Sequence, residues 1–117
     1  MILADTSVWV EHLRRGHAGL REALEDERIA VHPFVQGELA LGHVRRRSPL
    51  LRLIALLPTL EPASHDEVLR FVADGRLEGR GIGWIDAHLL AAAKLHAVRL
   101  WTLDRRLAGA AGELGLA

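Results

Sequence analysis

The chain has 117 residues, with 15 basic and 15 acidic side chains, half of its residues hydrophobic and no cysteine. That length suits one domain with a core of its own, and the missing thiols exclude disulfide scaffolds, thiolate zinc sites and cysteine nucleophiles. A formal net charge of zero excludes coating nucleic acid by bulk electrostatics, and no apolar run approaches the roughly 18 residues that span a bilayer.

The opening "MILADTSVWV" predicts a buried strand over Ile2–Asp5 that ends on a carboxylate. Helical spacing follows from Ser7 to Arg14, stopping at Gly16, and again from Ala18 to Glu25. Arg28–His32 reads as a second strand and Phe34–Arg46 as a helix. Pro49–Leu57 is a further helix ended by Pro58, with a weaker strand candidate around Thr59–Pro62. Ser64-His-Asp-Glu67 has the form of a capping box and predicts a helix through Leu77. The Ala- and Leu-rich stretch from Gly83 to His96 is a helix for the core, and Val98–Thr102 a strand. The final "AGELGLA" reads as a closing turn with no strong last strand. Strands alternating with helices imply an α/β domain over residues 1–117, with a small, mainly parallel sheet of about four strands. Residues 1–10 lack the basic start and long apolar centre of a signal peptide, so a soluble cytoplasmic protein is expected.

The acids decide the chemistry. In parallel α/β sheets, sites collect at the carboxyl ends of the strands. Asp5 ends the first strand, and Asp104 follows "AVRLWTL" in the same way. Glu38 lies on the stripe of Val35, Leu39 and Gly42, and Asp86 on that of Ile82, Ile85, Leu89 and Ala93. A carboxylate on an apolar stripe is costly unless it is paired or hydrogen-bonded. A lone Asp after a strand is commonly only a helix N-cap, and a Glu on a stripe commonly reaches solvent at the core's edge. Four acids placed where one fold gathers them point further. Sharing a site, they repel, and must shift their pKa values or recruit a cation. With no Cys and no clustered His, oxygen ligands favour Mg²⁺ or Mn²⁺.

At these residues the chain resembles the PIN-domain ribonucleases, specifically the VapC-type toxins of bacterial toxin–antitoxin pairs. The matching pieces are "ILADTSVWVEHL", "VQGELALG", "GIGWIDAHLLAAAKLHAV" and "LWTLDRRLA", in the family's order and at roughly its spacing. The resemblance implies a three-layer α/β/α domain with four or five strands. It makes Asp5, Glu38, Asp86 and Asp104 the catalytic acids, with Asp5, Asp86 and Asp104 on the metal and Glu38 orienting the attacking water. Ser7 and Thr102 correspond to hydroxyl residues that hydrogen-bond the ligands. The implied activity is Mg²⁺- or Mn²⁺-dependent hydrolysis of RNA by an activated water, leaving 5′-phosphate and 3′-hydroxyl ends. The implied partners are RNA, a VapB-type antitoxin whose tail lies in the acidic groove, and a second copy of the chain. The apolar stretches "ELALGHV" and "LLRLIALL" are the expected dimer surfaces. Where the family has a further acid or Asn, two residues past the last acid, Arg106 stands here, which bears on a second metal ion.

The remaining signals are weaker. Lys94 is the lone lysine; Arg suits phosphate, but Arg-for-Lys usage also follows from a GC-rich genome. Arg45, Arg46 and Arg47 form a basic run that suits either a helix end or an RNA backbone clamp. Arg105 and Arg106, beside Asp104, are better placed for phosphate, with Arg76 and Arg80 as similar candidates. Trp9, Trp84 and Trp101 read as core or interface residues, although Trp9 and Trp84 flank proposed ligands and suit stacking on a base. The seven His are scattered and read as structural or surface residues. "GRGIG" reads as the entry to the helix bearing Asp86, because no convincing strand precedes it. Two other classes compete: a receiver-like binding domain, which would want paired acids after the first strand, and a degenerate PIN domain that binds without cleaving. An Asp-nucleophile phosphatase would want an acid where Ser7 stands.

Overall fold

A computed structural model describes residues 1–42 and 47–117. The elements run β1 (Ile2–Ala4), α1 (Thr6–Arg15), α2 (Ala18–Glu25), β2 (Ile29–Ala30), α3 (Pro33–Leu41), α4 (Arg47–Ala55), α5 (His65–Gly75), α6 (Trp84–Leu95), β3 (Arg99–Trp101) and α7 (Arg105–Glu113). The strands form one parallel sheet in the order β2-β1-β3, with Leu3 opposite both Ala30 and Leu100. Helices cover it to give the three-layer α/β/α arrangement.

β1 is the central strand, and Leu3 and Ala4 are fully buried, as expected of a parallel strand covered on both faces. Val8, Trp9, Leu20, Leu89, Leu90 and Leu107 bring helices onto this core. Burial of each large side chain is worth roughly 1.5–3 kcal/mol against an exposed reference.

The expected elements recur with three differences. The strand candidate at Thr59–Pro62 is reduced to an isolated bridge between Val31 and Thr59, so the described sheet has three strands rather than four or five. Val31 donates to the Pro58 carbonyl and accepts from Leu60; with prolines at 58 and 62, which lack N–H donors, the pairing extends no further. Secondly, the carboxyl end contains a helix, α7, where the sequence suggested little beyond a turn. Asp104 caps it, and Leu107, Ala110 and Ala111 bury its inner face. The tail then lies along β3 through one short bond, Leu100 N–H to the Leu116 carbonyl at 2.6 Å. Thirdly, α3 ends at Leu41. The expected continuation to Arg46 lies outside the described residues, as do Arg45, Arg46 and the Arg47 side chain.

Some helix ends follow their sequence signals closely. Ser64 Oγ accepts from Glu67 N–H, and Glu67 Oε1 accepts from Ser64 N–H, completing the capping box of α5. The Ser64 backbone N–H, followed by the Ser64 hydroxyl, pulls the Glu67 carboxyl below its ordinary range. No described helix is long and apolar enough to cross a membrane.

Candidate active site

The chain leaves β1 on one side of the sheet toward β2 and returns later on the other side as β3. The carboxyl ends of β1 and β3 therefore lie beside a topological switch point, where connections diverge and leave a crevice. Asp5 and Asp104 both open there. Asp5 is still tied to the sheet through its N–H to the Trp101 carbonyl at 2.8 Å.

Both acids act as N-caps as well, and the cap uses only part of each carboxylate. Asp5 Oδ1 accepts from Thr6 N–H at 2.7 Å. Its Oδ2 accepts from Ser7 Oγ at 2.9 Å and from Thr102 Oγ1 at 2.7 Å. Thr102 Oγ1 accepts from Asp104 N–H at 3.1 Å, and Ser7 Oγ accepts from Leu103 N–H at 3.0 Å. Asp104 Oδ1 in turn accepts from the N–H groups of Arg106 and Leu107. A buried Asp5, 7% exposed, is thus fixed by two hydroxyls that also shape the β3–α7 loop.

The two helical acids approach from elsewhere. Asp86 occupies the third position of α6, and its Oδ2 accepts from Gly83 N–H at 3.2 Å. Glu38 is exposed on α3, while its neighbours Val35 and Leu39 are buried. Thr6 Oγ1 donates to Glu38 Oε1 at 2.7 Å and so joins α1 to α3. Thr6 was not singled out from the sequence; the signal was its place in the Asp-Thr-Ser run that leaves β1.

Burial pushes the Asp86 carboxyl above its ordinary range. Its bond from Gly83 opposes that shift, while the negative charges of Asp5, Asp104 and Glu38 add to it. The fold therefore places Asp5, Asp104 and Glu38 within electrostatic reach of Asp86. The second oxygens of Glu38, Asp86 and Asp104 accept no hydrogen bond among the described residues, and an all-oxygen donor set suits Mg²⁺ or Mn²⁺. Among the described residues, no three of the acids stand close enough to ligate one ion together as placed. An ion that keeps part of its water shell suits such spacing.

The other sequence candidates divide. Arg80 pairs with Glu113 at 2.7 Å and Arg76 is the left-handed C-cap of α5. Arg105 and Arg106 are exposed on the first turn of α7. Trp9 is fully buried and so belongs to the core, whereas Trp84 is 40% exposed. Ile85, expected inside, is 37% exposed. His32 and His88 are buried, and burial pushes His32 down to about 4, with His88 and His96 adding to the effect. The groove of about 460 Å³ over Gly19, Glu22, Arg28, Arg99 and Trp101 shares Thr102 with the acid network but none of the four acids.

A parallel α/β/α domain whose acids Asp5 and Asp104 open at the switch point of the sheet is an arrangement that PIN domains share. The PIN-domain profile matches residues 2–113, and the chain belongs to that family. It is 50% identical over 118 positions to Ribonuclease VapC32 of Mycobacterium tuberculosis, in both strain CDC 1551 and strain H37Rv, covering all of this chain and 95% of the relative. Within the PIN domains it is of the VapC type. Two solved structures share the fold at 23% identity. One is PAE2754 from Pyrobaculum aerophilum, TM-score 0.64, covering 93% of this chain and 83% of that one. The other is FitAcB from Neisseria gonorrhoeae, TM-score 0.58, covering 96% and 94%.

Proposed function

We propose that this chain, as one PIN domain over residues 1–117, is a toxin endoribonuclease whose four acids work with Mg²⁺ or Mn²⁺. The endoribonuclease activity follows from the VapC-type identity over the full length. The observation that carries the site is the hydroxyl network in which Thr102 ties the Asp5 carboxylate to the Asp104 backbone while the adjacent Thr6 holds Glu38. RNA phosphate cannot approach bare carboxylates; a divalent metal held by Asp5, Asp86 and Asp104 would neutralise the pocket and supply Lewis-acid activation of water there.

The protein side of the reaction divides among named groups. Asp5 is the rigid anchor, since three hydrogen bonds leave it one orientation. Asp86 and Asp104 would each offer the ion the oxygen that their caps leave unused, and Glu38, steadied by Thr6, would align the attacking water. Ser7 and Thr102 hold Asp5, as carboxylate ligands are held elsewhere. Arg105 and Arg106, exposed next to Asp104, meet the RNA backbone on the far side of the acids. Arg45, Arg46 and Arg47 are proposed to extend that contact.

A VapB-type antitoxin would silence the enzyme in the cytoplasm by laying a segment over the acids. A homodimer is supported by Leu41 at 89%, Leu56 at 83% and Leu53 at 39% exposure, all within the two apolar stretches named from the sequence.

The test is cleavage of a mixed RNA pool by purified protein with Mg²⁺ or Mn²⁺, with EDTA, and with Asp86→Asn. Metal-dependent cutting lost in the variant, leaving 5′-phosphate ends, is the expected result. Cutting that survives both EDTA and the substitution places the chemistry elsewhere. Metal binding without any cutting favours the receiver-like or degenerate, binding-only reading.

A further inference from the structure

We propose that Trp84 is a stacking platform for an unpaired nucleobase of the RNA whose backbone enters the acid pocket. The proposal rests on the nuclease reading and adds to it a residue that contacts a base.

Trp84 is the first residue of α6 and stands two positions before Asp86. Phe34, Phe71 and Trp101 are half-buried and Trp9 is fully buried, and the chain has no tyrosine. Among the described residues, then, the exposed Trp or Phe ring is on the helix turn that carries an acid of the site.

The ring is exposed without being loose. His88 meets it edge-on, with centroids 4.9 Å apart and planes at 89°. His65, at the start of α5, is 5.1 Å away and tilted by 55°. His88 is itself buried against Phe34 at 4.7 Å, and Phe34 against His32 at 4.9 Å. A row of rings therefore runs from the core to the surface and ends on Trp84. Neither neighbouring imidazole stacks parallel on the indole, so it keeps 40% exposure while its rotamer is held. A base that lands there gains stacking without immobilising the platform, which is how preorganised sites raise affinity.

Charge supplies the second argument. The chain has no net charge, and its pocket is acidic, so backbone attraction is weak until metal enters. Beyond the local arginine contacts, affinity for RNA gains from a term that does not depend on net charge. Base–aromatic stacking is such a term, and it tolerates any sequence because every base has a π-face. A base inside a duplex is already stacked on its neighbours, so the platform takes only an unpaired one.

The experiment compares wild type with Trp84→Phe and Trp84→Leu. Binding is measured to a mixed-sequence single-stranded RNA 12-mer, and to the same length as duplex, with Ca²⁺ replacing Mg²⁺; steady-state cleavage of the RNA pool is then run with Mg²⁺. The expected result is roughly tenfold to hundredfold weaker single-strand binding for Trp84→Leu, from loss of one stack. Its KM rises by more than its kcat falls, and Trp84→Phe retains most of the affinity. Indole fluorescence of the wild type is quenched by the single strand, and Trp84→Leu loses that response. Equal single-strand binding by wild type and Trp84→Leu overturns the proposal, as does equal loss in Trp84→Phe and Trp84→Leu, or no preference for single strand over duplex. Unchanged RNA binding together with lost antitoxin binding in Trp84→Leu also overturns it, and assigns the indole to the protein partner. Wild-type cleavage in Mg²⁺ reports the nuclease reading independently: a protein that binds single strands through Trp84 but never cuts retains the platform and loses the nuclease.

Discussion

Thr102 Oγ1 donates to Asp5 Oδ2 at 2.7 Å, across 97 positions of sequence, and itself accepts from the backbone N–H of Asp104. One hydroxyl thereby couples the acid that ends β1 to the acid that follows β3. Removing it leaves a buried carboxylate with one fewer donor and a loop N–H with no acceptor. Thr102→Val, which keeps the shape, is expected to cost about 1–3 kcal/mol of stability. It should also lower metal affinity or activity by roughly 10- to 100-fold, while Thr102→Ser restores most of both. Denaturant melts and a Mg²⁺ titration of the cleavage rate check this.

Asp86→Asn separates function from folding. The Asp86 carboxyl is pushed up by burial and by three like charges, so its ionised form is disfavoured in the fold. The amide relieves that cost, and the melting temperature should stay level or rise even as cleavage falls by at least about 100-fold. Saturating Mg²⁺ should raise the melting temperature of wild type, since a ligand bound only by the folded state stabilises it, and should not raise that of the variant. A variant that melts well below wild type would show that Asp86 holds the fold together.

His32 predicts an acid-side loss of stability. Its Nδ1 accepts from Phe34 N–H, which keeps the ring neutral and capping α3, and its folded pKa is about 4 against an ordinary 6.5. The unfolded chain therefore binds the proton first, and stability falls as pH drops from about 6.5 toward 4. From this residue alone the loss is about 2 kcal/mol near pH 5 relative to neutral. His88, also pushed down by burial, acts in the same direction. His32→Asn keeps a capping oxygen and should remove most of His32's share of the slope; equilibrium unfolding at several pH values measures it.

Gly81 tests how the loop before α6 meets α7. Its φ of +75° is the left-handed region, and an added Cβ would lie 2.7 Å from Arg106 Nη1 and 2.9 Å from Arg106 Cδ. Gly81→Ala should cost about 1–2 kcal/mol, mostly from the backbone, because Arg106 is flexible enough to swing away. In the double variant with Arg106→Ala the backbone cost should persist and only the contact share disappear. If Arg106 meets the RNA backbone, Gly81→Ala alone should also alter the salt dependence of RNA binding.

Much was legible before any fold was known. Local signals carried α2 to its ends, the capping box at Ser64 and the arrival of acids at Asp5 and Asp104, because caps, turns and periodicity act over a few residues. The third strand candidate failed at Thr59 because pairing depends on which neighbour offers its edge, and prolines close that edge. The helix α7 was missed because "LAGAAGE" has weak intrinsic helix propensity; the Asp104 cap and burial of Leu107, Ala110 and Ala111 make it form.

The sequence by itself determined the inventory of the site: four acids, two hydroxyls, no thiol and no net charge. Only the tertiary structure decided which of them meet. The field on Asp86, the Thr6–Glu38 bond that joins two helices, the loss of Trp9 to the core and the exposure of Trp84 all depend on distances between segments far apart in the chain. Periodicity gives each helix a face but not the neighbour that covers it. That is why Ile85 was expected inside and stands outside, and why His32 and His88, scattered in the sequence, join Phe34 in an edge-to-face row that ends on Trp84.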